Sequence, residues 1–364
     1  MSPRQIIRRT LRNAGCVDRS LPLLPPTKPW QQQILHPAES RSSCRRLLAT
    51  SHRPGPLMQL RRGFHSLGYH RSSTNNNTAA ATDAAADAAA DMTLSRGLPR
   101  SNSCKARAKA RLKEVLTPEL LDKLHRFWYK HLKTDEAFIL PQKSQMGRWF
   151  FSDSDFDNVC VKRFRPVLEV MRSADAKADD ILAIVRPFTP LQWLGLVLLL
   201  DQIPRNCYRG PESSVVFKFF DPIAREIAQH AINAGAPVHG RFKYRVSYRM
   251  WFYLPFMHSE DLALHDLAVK QYQQMKDDFA ELMAQDGTAG TDDERKCWGV
   301  LALQKETAKD LLETNYDFEM KHRDIIAQFG RYPHRNAAME REPTAEEKKY
   351  LESGGETFGG GGGK

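Results

Sequence analysis

Thr189-Pro190-Leu191-Gln192-Trp193-Leu194-Gly195-Leu196-Val197-Leu198-Leu199-Leu200-Asp201 is the stretch on which the fold class turns. Thr189 supplies an N-cap hydroxyl, and Pro190 takes the first helical position, where its missing N–H costs nothing. From Leu191 onward apolar side chains fall on every face of the helix, so it must be central and covered on all sides. The apolar run ends at Leu200 and is interrupted by Gln192, far short of the roughly 20 residues a bilayer requires. It therefore reads as the core of a soluble protein. Pro204 cannot continue a helix, so a break is expected at Asp201-Gln-Ile-Pro-Arg-Asn206.

Working outward, the punctuation stays helical. Thr117-Pro118 opens a helix whose Leu120, Leu124, Phe127, Trp128 and His131 recur at three- and four-residue spacing. Phe156, Cys160, Phe164, Val167 and Met171 repeat the pattern. Downstream, Asp221-Pro222 starts a helix closed by Gly235, and Ser259 is expected to cap the one carrying Leu264, Leu267, Tyr272, Met275, Phe279 and Leu282. One more is expected from about Asp292 to Phe329, stopping at Gly330, and Thr344-x-x-Glu347 is a capping box for a last short helix. Alternation of the strand type is nearly absent. The reading is an all-α, compact single helical domain over residues 115–358, followed by a Gly-rich tail at 359–364.

Charge excludes one class of function. The formal net charge is +11, and residues 1–74 alone carry twelve Arg and Lys28 against Asp18 and Glu39. The folded body is slightly acidic. A nucleic-acid partner is not expected, because such proteins keep their positive field on the folded domain. The Arg- and Ser-rich, acid-poor N-terminus instead has the composition of a mitochondrial transit peptide. Arg61-Arg-Gly-Phe-His-Ser66 resembles a processing-peptidase context, which puts the boundary near Phe64 and the destination in the mitochondrial matrix. An ordinary disordered basic tail is the alternative. Residues 65–114, with the Ala-Asp tract to Asp91 and the basic Lys105–Lys113, are expected to be a disordered linker. The six cysteines form no CxxC pair, and Cys160 reads as a small core residue.

Five stretches together resemble the domain-of-unknown-function 924 proteins: Glu119-Leu-Leu-Asp122 with Phe127-Trp128, Trp149-Phe150-x-x-Asp153-x-x-Phe156-Asp157, Leu198 to Gly210, Phe252 to Asp261, and His322 to Asn336. The resemblance spans residues 118–358 and implies a helical array of the tetratricopeptide-like superfamily, with no established activity. The chain departs from the family pattern between Asp286 and Asp310, where it is longer, and it has no clean 34-residue period.

Three polar motifs interrupt the apolar helices. They hold Asp201, Arg205, Asn206 and Arg209; His258 and Glu260; and His322 with Arg331, His334, Arg335 and Asn336. If they meet in space, their arginines and histidines suit an anionic small molecule or an acidic peptide end. The plainer alternative is a structural lock, in which Arg and Asn bond the orphan carbonyls of a broken helix. A cofactor-free hydrolase or lyase would use His258 or His334, oriented by Glu260 or Asp201. No metal site is expected, since His258 and Glu260 are two apart and diverge at a helix start. Neither a Walker A loop nor GxGxxG is present, so no nucleotide cofactor is implied. Most aromatics are expected in the core, with Trp251-Phe-Tyr253 a possible pocket wall.

Overall fold

The computed structural model describes residues 100–151 and 153–358, and among these it is helical with no β-strand. The transit-peptide segment 1–64, the linker up to residue 99 and the tail 359–364 lie outside the described residues. The principal helices are α1 (Arg100–Val115), α2 (Pro118–Trp128), α3 (Asp135–Ile139), α4 (Lys143–Phe150), α5 (Ser154–Ser173), α6 (Ala178–Val185), α7 (Pro190–Val197), α8 (Ile203–Cys207), α9 (Asp221–Asn233), α10 (Leu262–Met283), α11 (Asp292–Leu303), α12 (Lys305–Phe329) and α13 (Ala345–Glu352).

The expected central helix is central. Leu194 and every residue from Leu196 to Leu200 are fully buried. Thr189 Oγ1 caps α7 by accepting from Gln192 N–H, and the Gln192 side chain returns the bond. Helices α2 and α9 pack against α7, and α5 packs against α8. Gly195 permits the approach of α2: a Cβ there would stand 3.0 Å from Leu121 Cβ. Helices α10 and α12 form the largest helix pair.

Pro204, however, does not end the helix. After Val197 the chain widens into a π-helical turn, Leu198–Gln202, in which Ile203 N–H reaches the Leu198 carbonyl, and then continues as α8. A π-turn skips one α-helical hydrogen bond, so a residue without an N–H follows at low cost. The same device recurs at Val216–Phe220, where Asp221 N–H bonds to the Val216 carbonyl and Pro222 follows. The two π-turns touch each other.

Four further expectations need correction. The basic stretch Lys105–Lys113 belongs to α1, which packs on α5 and buries Leu112 completely, while Lys105 and Lys109 pair with Asp175 and Asp180. Its one apolar contact row was hidden by the surrounding charges. The helix expected over 292–329 is two, divided at Gln304, and α11 begins with a Thr291–Glu294 capping box. Ser259 is not the cap of α10: Asp261 is, accepting from Ala263 N–H, while Ser259 Oγ supports the turn by accepting from Asp261 N–H. Finally, Trp251, Phe252 and Tyr253 are fully buried. Trp251 meets Trp128 and Trp149 edge-on at 5.3 and 5.2 Å, a favoured quadrupole geometry, so this segment is part of the core.

Other signals hold. Gly235 and Gly330 end α9 and α12 at φ +71° and +67°, and the Thr344–Glu347 capping box opens α13. Cys160, Cys207 and Cys297 are buried free thiols. No helix among the described residues is long and apolar enough to cross a membrane.

Candidate functional site

The two π-turns carry acids into the interior. Asp201, in the first, is 1% exposed, and Asp221, at the end of the second, is 2% exposed. Arg205, one turn beyond Asp201, joins them. Its Nη1 donates to Asp221 Oδ1 at 2.7 Å and to the Asp201 carbonyl at 3.0 Å, and lies 3.7 Å from Asp201 Oδ1. Asn206 Nδ2 similarly returns to the Gln202 carbonyl at 3.0 Å. Each thus returns to the carbonyl four residues before it, beside the irregular helical turn.

The second and third motifs close on this pair. His258 Nδ1 lies 2.8 Å from Asp201 Oδ1, and Gln202 Nε2 donates to Asp201 Oδ2 at 2.6 Å. Burial pushes the Asp201 carboxyl up, but His258, Arg205 and Gln202 outweigh it and hold the group below its ordinary value. Burial and the neighbouring Arg205 push His258 down, against the opposing pull of Asp201. An ionised carboxylate can only accept, so Nδ1 carries the proton of a neutral imidazole and Nε2 is the lone-pair nitrogen.

Arg335 arrives from the loop after α12. Its guanidinium lies between two aromatic rings, 4.5 Å from the Phe217 centroid and 4.4 Å from that of Tyr332. Its Nη1 donates to the His258 carbonyl at 2.9 Å and stands 3.7 Å from Asp221 Oδ2. Neither Arg335 Nε, Arg205 Nη2 nor Asp221 Oδ2 has a hydrogen-bond partner. Arg335 is 8% exposed, and burial pushes it below the ordinary guanidinium value, against Asp221. One carboxylate thus serves two guanidinium groups, the half-buried Arg205 more closely than the buried Arg335.

These groups border a cavity of about 240 Å³ lined by Arg335, His258, Asp221, Arg225, Glu260 and Asp261, with Phe217 and Met339 as apolar wall. Glu260 is already neutralised. Arg341 binds it through two nitrogens at 2.6 and 3.0 Å, and Tyr332 N–H donates to it at 3.0 Å. The half-buried Arg225 side chain forms no hydrogen bond or ion pair with any described residue.

The remaining sequence candidates lie elsewhere. Arg209 binds both oxygens of Asp157 at 3.0 Å. Arg331 and Asn336 both engage Glu347, the capping-box acid of α13, at 2.6 and 3.1 Å. His322 donates Nδ1 to the Phe318 carbonyl at 2.7 Å and stacks on Phe358. His334 is half-buried against Tyr332, and its Nδ1 has no partner. Two of the four arginines expected to converge, Arg205 and Arg335, do so. Among the described residues no group of three His, Cys, Asp or Glu is placed to hold a metal ion.

Sequence reading missed Asp221, Arg225, Asp261 and Arg341 as members of the site. The available signal was Asp221-Pro222 with Arg225 one helical turn on, two charged residues of opposite sign at i, i+4 on the helix that carries the buried Ile223, Ile227 and Ala231.

A family model described as bacterial protein of unknown function (DUF924) matches residues 124–355. A solved protein of unknown function from Agrobacterium tumefaciens is 30% identical, with 62% of this chain and 99% of that chain covered and a TM-score of 0.41. No curated protein matches the sequence. On the family match, this chain belongs to the DUF924 family.

Proposed function

We propose that this protein is a binding module that takes up a small anionic molecule in the cavity bordered by Arg335. The observation that carries the reading is the incomplete compensation of Arg335. It is a buried guanidinium whose Cζ lies over the Phe217 and Tyr332 rings, with Nε unpartnered and Asp221 no nearer than 3.7 Å. A buried cation costs several kcal/mol unless it is paired, and an incoming carboxylate or phosphate would supply the missing partner. Arg225 adds a second cation without a counterion on the same wall. The two ring contacts and the hydrogen bond to the His258 carbonyl position the guanidinium before the ligand arrives, which lowers the entropic cost of recognition.

The test is thermal denaturation of the full chain with acetate, phosphate and citrate, for wild type and Arg335→Lys. Lysine keeps the charge but loses the planar fork and the stacking. Wild type should gain stability with anion concentration, as linkage requires, and the variant should need at least about tenfold more anion for the same gain. Equal gains in the two proteins, at equal ionic strength, would exclude Arg335 as the anchor.

A second reading is favoured by one contact, His258 Nδ1 to Asp201 at 2.8 Å. A neutral imidazole oriented by a buried carboxylate is a competent general base, and His258 lines the cavity. A cofactor-free hydrolase or lyase would then turn over its bound anion, and His258→Gln would remove turnover while leaving binding intact.

We also propose that residues 1–64 act as a mitochondrial presequence, on the composition of that segment. A reporter fused to residues 1–75 should enter mitochondria, and a cytosolic signal would reject this. The kinship with tetratricopeptide-like arrays, implied by the resemblance, is a proposal of the same standing. It requires successive helix pairs in an experimental structure to be related by one repeated rotation.

A further inference from the structure

The cavity does not carry one sign of charge. Sorting its lining groups by whether each already has a partner leaves a specific pattern. Glu260 is matched by Arg341, and Asp221 is held by Arg205. Arg335 is only partly matched, Arg225 is unmatched, and Asp261 makes no ion pair. Asp261 uses Oδ1 to cap α10 by accepting from Ala263 N–H at 2.9 Å, which leaves Oδ2 without a protein partner. One buried cation, Arg335, with the half-buried Arg225 and the exposed Asp261, neither of which has a protein counterion, therefore borders a single small space.

Size restricts the occupant. Pockets for drug-sized ligands run from about 300 Å³ upward, and this cavity is about 240 Å³. Its apolar wall, Phe217 and Met339, can cover only a few methylene groups. A ligand with acidic groups alone would meet the Asp261 carboxylate as a like charge. One with an added ammonium group would match it.

We infer that the ligand is a small zwitterion of net negative charge, of the acidic amino-acid type, with its acid groups on Arg335 and Arg225 and its ammonium group on Asp261. This inference rests on the anion-binding reading and adds to it the identity of the ligand's third charge. The three anchors come from different elements: Arg225 from α9, Asp261 from the N-cap of α10 and Arg335 from the short 3₁₀ turn Pro333–Arg335. Ligand charge would thus tie the π-turn region, α10 and the C-terminal loop together.

The experiment is isothermal titration of the full chain with L-glutamate, glutarate and N-acetyl-L-glutamate, alongside phosphate. Glutarate keeps both acids and lacks the ammonium group, while acetylation keeps the nitrogen and removes its charge. Wild type should bind L-glutamate at least about tenfold more tightly than either analogue, the equivalent of one well-placed charge contact. Asp261→Asn preserves the helix cap, since Asn caps as well as Asp. This variant should bind all three dicarboxylates alike, with glutarate affinity maintained or raised. Equal wild-type affinity for glutamate and glutarate would overturn the zwitterion while leaving the anion site standing. Preference for glutamate that survives in Asp261→Asn would overturn the role of Asp261. Failure of every anion, phosphate included, would remove the anion site and this inference with it.

Discussion

Asp221→Asn is the substitution that most directly examines how the site is held. The side chain is 2% exposed, accepts from Arg205 Nη1 at 2.7 Å and stands 3.7 Å from Arg335 Nη1. Asparagine is nearly isosteric, so packing and the helical position are kept and only charge is lost. At charge separations near 4 Å and an effective dielectric of 20, each interaction is worth about 4 kcal/mol before desolvation is counted. Breaking a buried pair by removing one partner costs about 3–5 kcal/mol net. Arg205 retains Asp201 at 3.7 Å, so the lower half of that range is expected. For a domain of this size that corresponds to a fall in Tm of roughly 6–15 °C. Urea denaturation of the full chain, wild type against variant, gives the number. Phosphate should restore more stability to the variant than to wild type, because it replaces the lost counterion. Loss under about 0.5 kcal/mol, the size of a neutral surface change, would refute the claim that Asp221 compensates the guanidinium groups of Arg205 and Arg335. A large loss that phosphate leaves untouched would refute the claim that the cavity admits an anion to them.

Two other perturbations follow from the geometry. Gly195→Ala sets a Cβ 3.0 Å from Leu121 Cβ where α7 meets α2, and overpacking there should cost about 1–3 kcal/mol by urea denaturation despite alanine's better helix propensity; a more stable variant would mean α2 yields. Glu319, fully buried and 2.6 Å from His265, has a carboxyl that burial raises from 4.5 to about 7 against the pull of His265. The folded chain therefore holds a proton that the unfolded chain releases near 4.5. That contribution is whole below about pH 4.5 and is lost as pH rises through about 7, roughly 3–4 kcal/mol in all. Glu319→Gln should flatten the fall in stability between about pH 5 and 7.5, and an unchanged profile would assign the slope to other groups.

The sequence by itself determined the helical class and most of its punctuation. Capping at Thr117, Thr189 and Thr344 and left-handed stops at Gly235 and Gly330 are local chemistry, complete within four or five residues, and the all-round apolar run after Pro190 could only be a covered helix. These signals need no knowledge of neighbours. The polar motifs were equally visible as groups requiring partners, but partner choice is a matter of where helices cross. Nothing near Arg209 or Arg331 in sequence says that each is claimed by a carboxylate, Asp157 52 residues earlier or Glu347 16 residues later, while Arg335 is left with a shared one.

Tertiary structure also decided the fate of Pro204. A proline four residues past the apolar run that ends at Leu200 reads as a helix end, because the usual i→i+4 bond is lost. Here the core surrounds Leu198–Leu200 so completely that straightening out would expose them, and a π-turn keeps the helix going instead. The second π-turn, before Pro222, does the same beside it. Together they turn Asp201 and Asp221 inward toward Arg205. Local propensity specifies hydrogen bonds between near neighbours, whereas the pairing of buried charges is fixed only when separate helices pack and exclude water from between them.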